Sequence, residues 1–221
     1  MVQLTDIEAR VLGSLVEKQV TTPEYYPLSL NALTAACNQK NNRDPVAEYD
    51  DKTVVRALDG LREKKLAWMV HSSASRVPKY EHRLAEMLAL PPDQMAVLCL
   101  LILRGPQTAG ELRGRSGRLH EFGTIAEAET ALHQLSVHPA GALVVKLPLL
   151  PRSHEPRFMH LLCGEPAVTT VEIQAPPPEA ARAVVEAEEA RLARLESELA
   201  ALRAEVADLK TQFAAFRQQF E

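Results

Sequence analysis

The same order of elements is legible twice along this chain: helix, helix, helix, then two strands. In the first pass, Thr5 and Glu8 form a capping box, and Ile7, Val11, Leu12, Leu15 and Val16 fall on one helical face. Residues Thr21 to Pro27 break that pattern. A second helix starts at the cap Ser29 and buries Leu30, Leu33 and Cys37, and an Asn-rich loop runs from Asn38 to about Asp50. The third helix covers Asp51 to Lys65, with Val54, Val55, Leu58 and Leu61 inward. Strands Leu66–Val70 and Val77–His82 flank a turn at His71–Arg76.

The second pass begins at Pro91-Pro92 with a helix carrying Met95, Leu98, Leu101 and Ile102, stopped by Gly105-Pro106. A short helix over Thr108–Arg115 and a basic loop to Phe122 follow. The third helix spans Thr124–Val137, with Ile125, Ala128, Leu132 and Leu135 inward, and the strands are Leu143–Leu147 and Arg157–Leu162. Three helices with a hairpin laid over their open core predict a winged helix. The expected fold is therefore mainly α with small β-hairpins: two tandem winged-helix domains, 1–90 and 91–163.

A Pro-rich linker, 164–178, leads to the most regular segment of the chain, 179–221. Leu192, Leu195, Leu199, Leu202, Val206, Leu209, Phe213, Phe216 and Phe220 recur in steps of three and four. With Leu192 at the first core position, Arg191–Glu196, Glu198–Arg203 and Glu205–Lys210 are complementary pairs across a parallel partner. This predicts a C-terminal coiled-coil helix joining a homodimer. An amphipathic helix packed back on its own body is the other reading of the same period.

Charge limits the partners. The chain's net charge is −4, but residues 1–90 balance 12 basic against 12 acidic side chains, and 91–163 are near neutral. The acidity belongs to the tail, so any nucleic-acid affinity must come from local clusters. Three scattered cysteines, Cys37, Cys99 and Cys163, fit a reducing compartment rather than a disulfide framework. The N-terminal residues lack a signal-peptide pattern, and the longest apolar run, Met95–Leu103, is shorter than the roughly 20 residues a bilayer needs. A cytoplasmic protein without membrane contact is expected. No phosphate loop, nucleophile elbow or metal-ligand spacing is present, since His133 and His138, and His154 and His160, stand isolated. The expectation is a non-enzymatic protein with no cofactor and no metal.

Two surfaces carry charge that nucleic acid would want. Lys52 and Arg56 face away from the core on the third helix, where a winged helix enters the major groove, although Asp59 and Glu63 follow them. Asn38, Gln39, Lys40, Asn41, Asn42 and Arg43 crowd the preceding loop, and Arg76 and Lys79 flank the hairpin. These residues form the candidate face for double-stranded DNA. In the second module the third helix shows Glu127 and Glu129 instead, and Arg113, Arg115 and Arg118 form a secondary basic cluster for phosphate, RNA or an acidic partner. Two functions stay open: a dimeric DNA-binding protein of the transcriptional-regulator kind, and a scaffold that binds another protein without touching DNA.

Three stretches also carry a resemblance. TPEYYPLSLNALTAACNQKNNRDP (22–45), RVPKYEHR (76–83) and GELRGRSGRLHEF (110–122) resemble the YceH-like family of uncharacterised bacterial proteins, over roughly residues 3–163. The resemblance implies tandem winged helices and assigns no activity, ligand or catalytic residue.

Overall fold

Thr5 opens the first helix as its spacing predicts. Its hydroxyl accepts the Glu8 amide proton at 3.2 Å, and the Glu8 carboxylate accepts the Thr5 amide proton at 2.7 Å. The computed structural model describes residues 3–72, 75–149 and 155–165. Among these the protein is mainly helical, with seven α-helices and two small antiparallel sheets. The elements of the first half are α1 (Asp6–Thr21), β1 (Leu28–Ser29), α2 (Leu30–Cys37), α3 (Asp51–Glu63), β2 (Ala67–Ser72), β3 (Ser75–His82) and α4 (Leu84–Leu88). The second half has α5 (Pro92–Arg104), α6 (Ala109–Arg115), α7 (Ile125–Ser136), β4 (Val144–Lys146) and β5 (Phe158–His160).

Side-chain oxygens set most helix starts. Ser29, Asp50, Thr108 and Thr124 each accept an amide proton from the first turn of α2, α3, α6 and α7. The two-residue β1 and the short α4 escape the sequence reading, because neither is long enough to show a period. Ile125, expected inward, is 44% exposed, since α7 begins there and its first turn overhangs the core. Val55 is only half-buried, and Ala57 takes the inner position instead.

The halves share a topology beyond helix order. In the first sheet β1 pairs with β3 (Leu28 opposite Tyr80) and β3 pairs with β2, all antiparallel. In the second, β4 pairs with β5, and Gln107, just before α6, exchanges both backbone hydrogen bonds with Phe158 of β5. Each half thus joins the segment before its second helix to its last strand.

The halves are not insulated from one another. Both α1 and α5 are buried on all sides through their middles, residues 8–17 and 94–103, because they pack on each other. One apolar core runs from Leu4 to Leu162 across the 90/91 boundary. The contact is closest at Gly13, where an added Cβ would stand 2.7 Å from Ile102 Cγ2 and 3.0 Å from Leu103 Cδ2. Gly13→Ala is therefore expected to cost about 1–2 kcal/mol, overpacking outweighing the better helix propensity of alanine. A urea midpoint equal to wild type would show that Ile102 turns aside freely.

Among the described residues no helix is long and apolar enough to cross a membrane. Residues 166–178 of the linker and the 179–221 segment, with Leu192, Leu195, Leu199, Leu202, Val206, Leu209, Phe213 and Phe216, lie outside the described residues.

Candidate nucleic-acid interface

The Asn-rich loop 38–50 follows α2, whose last carbonyls have no partner within the helix. Two buried arginines supply those partners. Arg10 of α1 donates to the carbonyls of Cys37 (3.3 Å) and Pro45 (2.6 Å). Arg43 donates to the carbonyl of Ala36 through Nε (3.2 Å) and Nη2 (2.9 Å). The same guanidinium grips Glu17 of α1 bidentately, at 3.1 and 2.6 Å, and also reaches the Asn42 carbonyl and the Gln39 side chain. Cations at a helix C-terminus also favour the dipole.

Arg43 is therefore not a surface cation. Its side chain is 0% exposed and its donors are saturated. Placing it on a DNA-facing surface is corrected: its guanidinium is spent inside the protein, on Glu17 and on the Ala36 carbonyl at the end of α2. Asn38 is corrected too, for its side-chain amide donates to the Tyr49 carbonyl and accepts the Tyr49 amide proton, both at 2.8 Å. That pairing ties the two ends of the loop together. Asn42 sits in the left-handed region (φ 61°), which asparagine tolerates, and its side chain accepts from Arg104 at the end of α5. Lys40 and Asn41 remain exposed.

On α3, Lys52 and Arg56 are exposed and form no ion pair among the described residues. Asp59 is neutralised by Arg62 at 3.2 Å, while Asp51 accepts from Thr34 of α2 at 2.6 Å. Lys79 is half-buried on β3, opposite Ser29 and Val70. The Arg76 side chain lies outside the described residues.

The sequence reading kept the loop and the secondary cluster apart, in separate modules. The structure brings them together. A cleft of about 360 Å³ is walled by Lys40, Asn41 and Asn42 from the first half and by Arg104, Arg115 and Arg118 from the second. Lys18 and Glu17, at the end of α1, also line it, over an apolar floor that includes Leu100, Leu103 and Leu119. Arg115 is aimed by Gln107, whose side-chain oxygen accepts from Nη1 at 2.9 Å, while Nη2 stands 3.6 Å from Glu111. Arg113 is exposed outside the cleft, and so are Lys52 and Arg56. Sequence reasoning missed Lys18 and Arg104. Each lies in the last turn of a helix, where a basic residue reads simply as a complement to the dipole.

The model of a family described as "Protein of unknown function, DUF480" matches residues 4–153. The chain belongs to this family. Among its relatives, a UPF0502 protein of Geotalea daltonii is 53% identical over 194 residues, covering 88% of this chain and 87% of the relative. One of Geobacter sulfurreducens is 52% identical, with 87% and 86% covered, and one of Burkholderia thailandensis is 49% identical, with 87% and 84% covered. The DUF480 match runs from the cap of α1 past β4 and includes every residue of the cleft.

Proposed function

We propose that each half of this DUF480 protein is a winged helix, as the YceH-like resemblance implies, and that the chain is a non-enzymatic, cytoplasmic, dimeric DNA-binding protein of the regulator kind. The first turns of α3 dock on double-stranded DNA, Lys79 of the β2–β3 hairpin contacts the flanking backbone, and the 179–221 helices pair as a coiled coil. The observation that carries this reading is the pair Lys52 and Arg56, exposed and without an ion pair among the described residues, on the helix that a helix-turn-helix protein presents to the groove. The shared strand pairing of the two halves supports the tandem arrangement. Arg43 and Asn38 are left out of the interface.

A mobility-shift titration at several salt concentrations tests it. Wild type is expected to bind duplex DNA with affinity that falls as salt rises. Lys52→Ala/Arg56→Ala is expected to bind at least about tenfold more weakly and to lose about two from the magnitude of the log–log salt slope. An unchanged slope in the variant, or no shift by either protein, rejects the α3 interface.

A scaffold role is favoured by a different surface. Trp68 of β2 is 53% exposed and, with Met87 of α4, lines a groove of about 340 Å³ edged by Lys65, Arg83 and Glu86. An exposed tryptophan beside methionine, rimmed by charge, is the composition of a protein-binding patch. Failure of the DNA titration would leave this second reading standing.

A further inference from the structure

We infer that the cleft between the two halves is a binding site for a small phosphorylated ligand, a phosphate monoester or diphosphate, held by Lys40, Arg104, Arg115 and Arg118. The charge is lopsided. Lys18, Lys40, Arg104, Arg115 and Arg118 face one carboxylate, Glu17, and both oxygens of that carboxylate are already taken by Arg43, with Lys18 at 3.4 Å. The cations crowd one another. Burial first and then Arg115 push the Arg104 guanidinium below its ordinary pKa; Glu17 pulls the other way, and Arg43 adds the smallest push. Arg104 also has a buried Nε with no hydrogen-bond partner among the described residues, although its Nη2 donates to Asn42. A buried donor on a fixed cation, with further guanidinium groups converging on it, is unfavourable by itself and suited to a multiply charged oxyanion.

Size selects the ligand class. A concave space of about 360 Å³ lies in the range of small-ligand pockets and is far too small to receive a duplex. Guanidinium forks with an ammonium beside them match phosphate oxygens in geometry and charge. The donors come from both halves, the loop after α2 on one side and the ends of α5 and α6 on the other, so the ligand would bridge the two. Lys52 and Arg56 stand outside the cleft, and the inference holds whether or not α3 docks on DNA.

The probe is sodium pyrophosphate in a chloride buffer of fixed ionic strength, followed by isothermal titration calorimetry on the full chain. Wild type is expected to bind it. Lys40→Ala/Arg118→Ala removes two exposed cations that form no ion pair among the described residues, and is expected to weaken binding at least about tenfold with thermal stability unchanged. Arg104→Gln is expected to abolish the heat, and Lys52→Ala/Arg56→Ala to leave it as in wild type. No binding by wild type, equal binding by the Lys40/Arg118 variant, or equal weakening by the Lys52/Arg56 variant would each overturn the site. Displacement of pyrophosphate by a short DNA duplex would assign these cations to backbone phosphate and overturn it as well.

Discussion

Glu17→Ala is expected to destabilise the protein by about 3–5 kcal/mol, because it leaves Arg43 buried without its counter-charge. The Arg43 side chain is fully buried, and Glu17 is its only acidic partner among the described residues. Burial alone would raise the Glu17 carboxyl pKa, yet the hydrogen bonds and charge of Arg43, aided by Lys18, hold it below the ordinary value. For Glu17 the attraction of its partners thus outweighs the desolvation. Arg10, also buried, is a like charge that pushes against Arg43, and its own opposing pull comes from Tyr49, Cys37 and Asp44 rather than from Glu17. Urea unfolding checks the size of the loss. Glu17→Gln, which keeps an acceptor and removes the charge, is expected to fall between wild type and alanine. Glu17→Met/Arg43→Met is expected to be more stable than Glu17→Ala, since the charge left behind is then gone. A single-alanine loss below about 1 kcal/mol, or a double variant no better than the single, would show that water reaches Arg43 and the loop is not stapled from within.

That pair also marks how far the sequence can be read. The helices were legible because apolar positions repeat at 3.6 residues and capping residues stand where first turns begin: Thr5, Ser29, Thr108 and Thr124 all cap as their position suggests. Arg43 looked like a surface cation because its neighbours in sequence are polar. Its fate was decided by Glu17, 26 residues earlier on the polar side of α1, and by α5, which covers that side. Amphipathic periodicity reports that a face is polar; it cannot report that the face is enclosed. The cleft was half legible for the same reason. Lys40, Asn41, Asn42, Arg115 and Arg118 were singled out as basic or amide-rich, but their convergence depends on how α1 packs against α5. Gly13, a glycine inside an otherwise strong helix, stands at that crossing, but its period-breaking lack of a side chain does not say which element approaches it.

Acid is expected to unfold this protein before its paired carboxylates protonate, through His82 and His160. Both are buried in the shared core, and burial lowers each pKa from 6.5 to about 4. For His82, Glu86 pulls the value up slightly and Arg83 pushes it down, whereas for His160 only Asp6 opposes burial. The hydrogen bonds show why the neutral form is required. Nδ1 of His82 accepts the Leu84 amide proton at 3.2 Å, so its single proton sits on Nε2, 2.6 Å from the Gln19 side-chain oxygen. A second proton would face the Leu84 N–H, where α4 begins. His160 Nδ1 has no partner among the described residues to receive one. A histidine whose pKa is depressed by folding binds its proton more weakly in the native state than in the unfolded one, so falling pH favours unfolding. The contribution is complete above about pH 6.5 and is lost as pH falls to about 4, at roughly 3 kcal/mol for each histidine. Two such losses rival the whole stability of an ordinary domain. Urea midpoints measured from pH 7.5 to 4.5 should therefore fall steeply, with about half the slope in His160→Leu, which removes a titrating group whose Nδ1 has no hydrogen-bond partner among the described residues. Below that range the paired carboxylates Glu8, Glu17 and Glu111, held under their ordinary values, add their own losses. A flat profile between pH 7 and 5 would mean that both imidazoles take up protons in the native state, and that the core around β3 and β5 is wetter than its packing indicates.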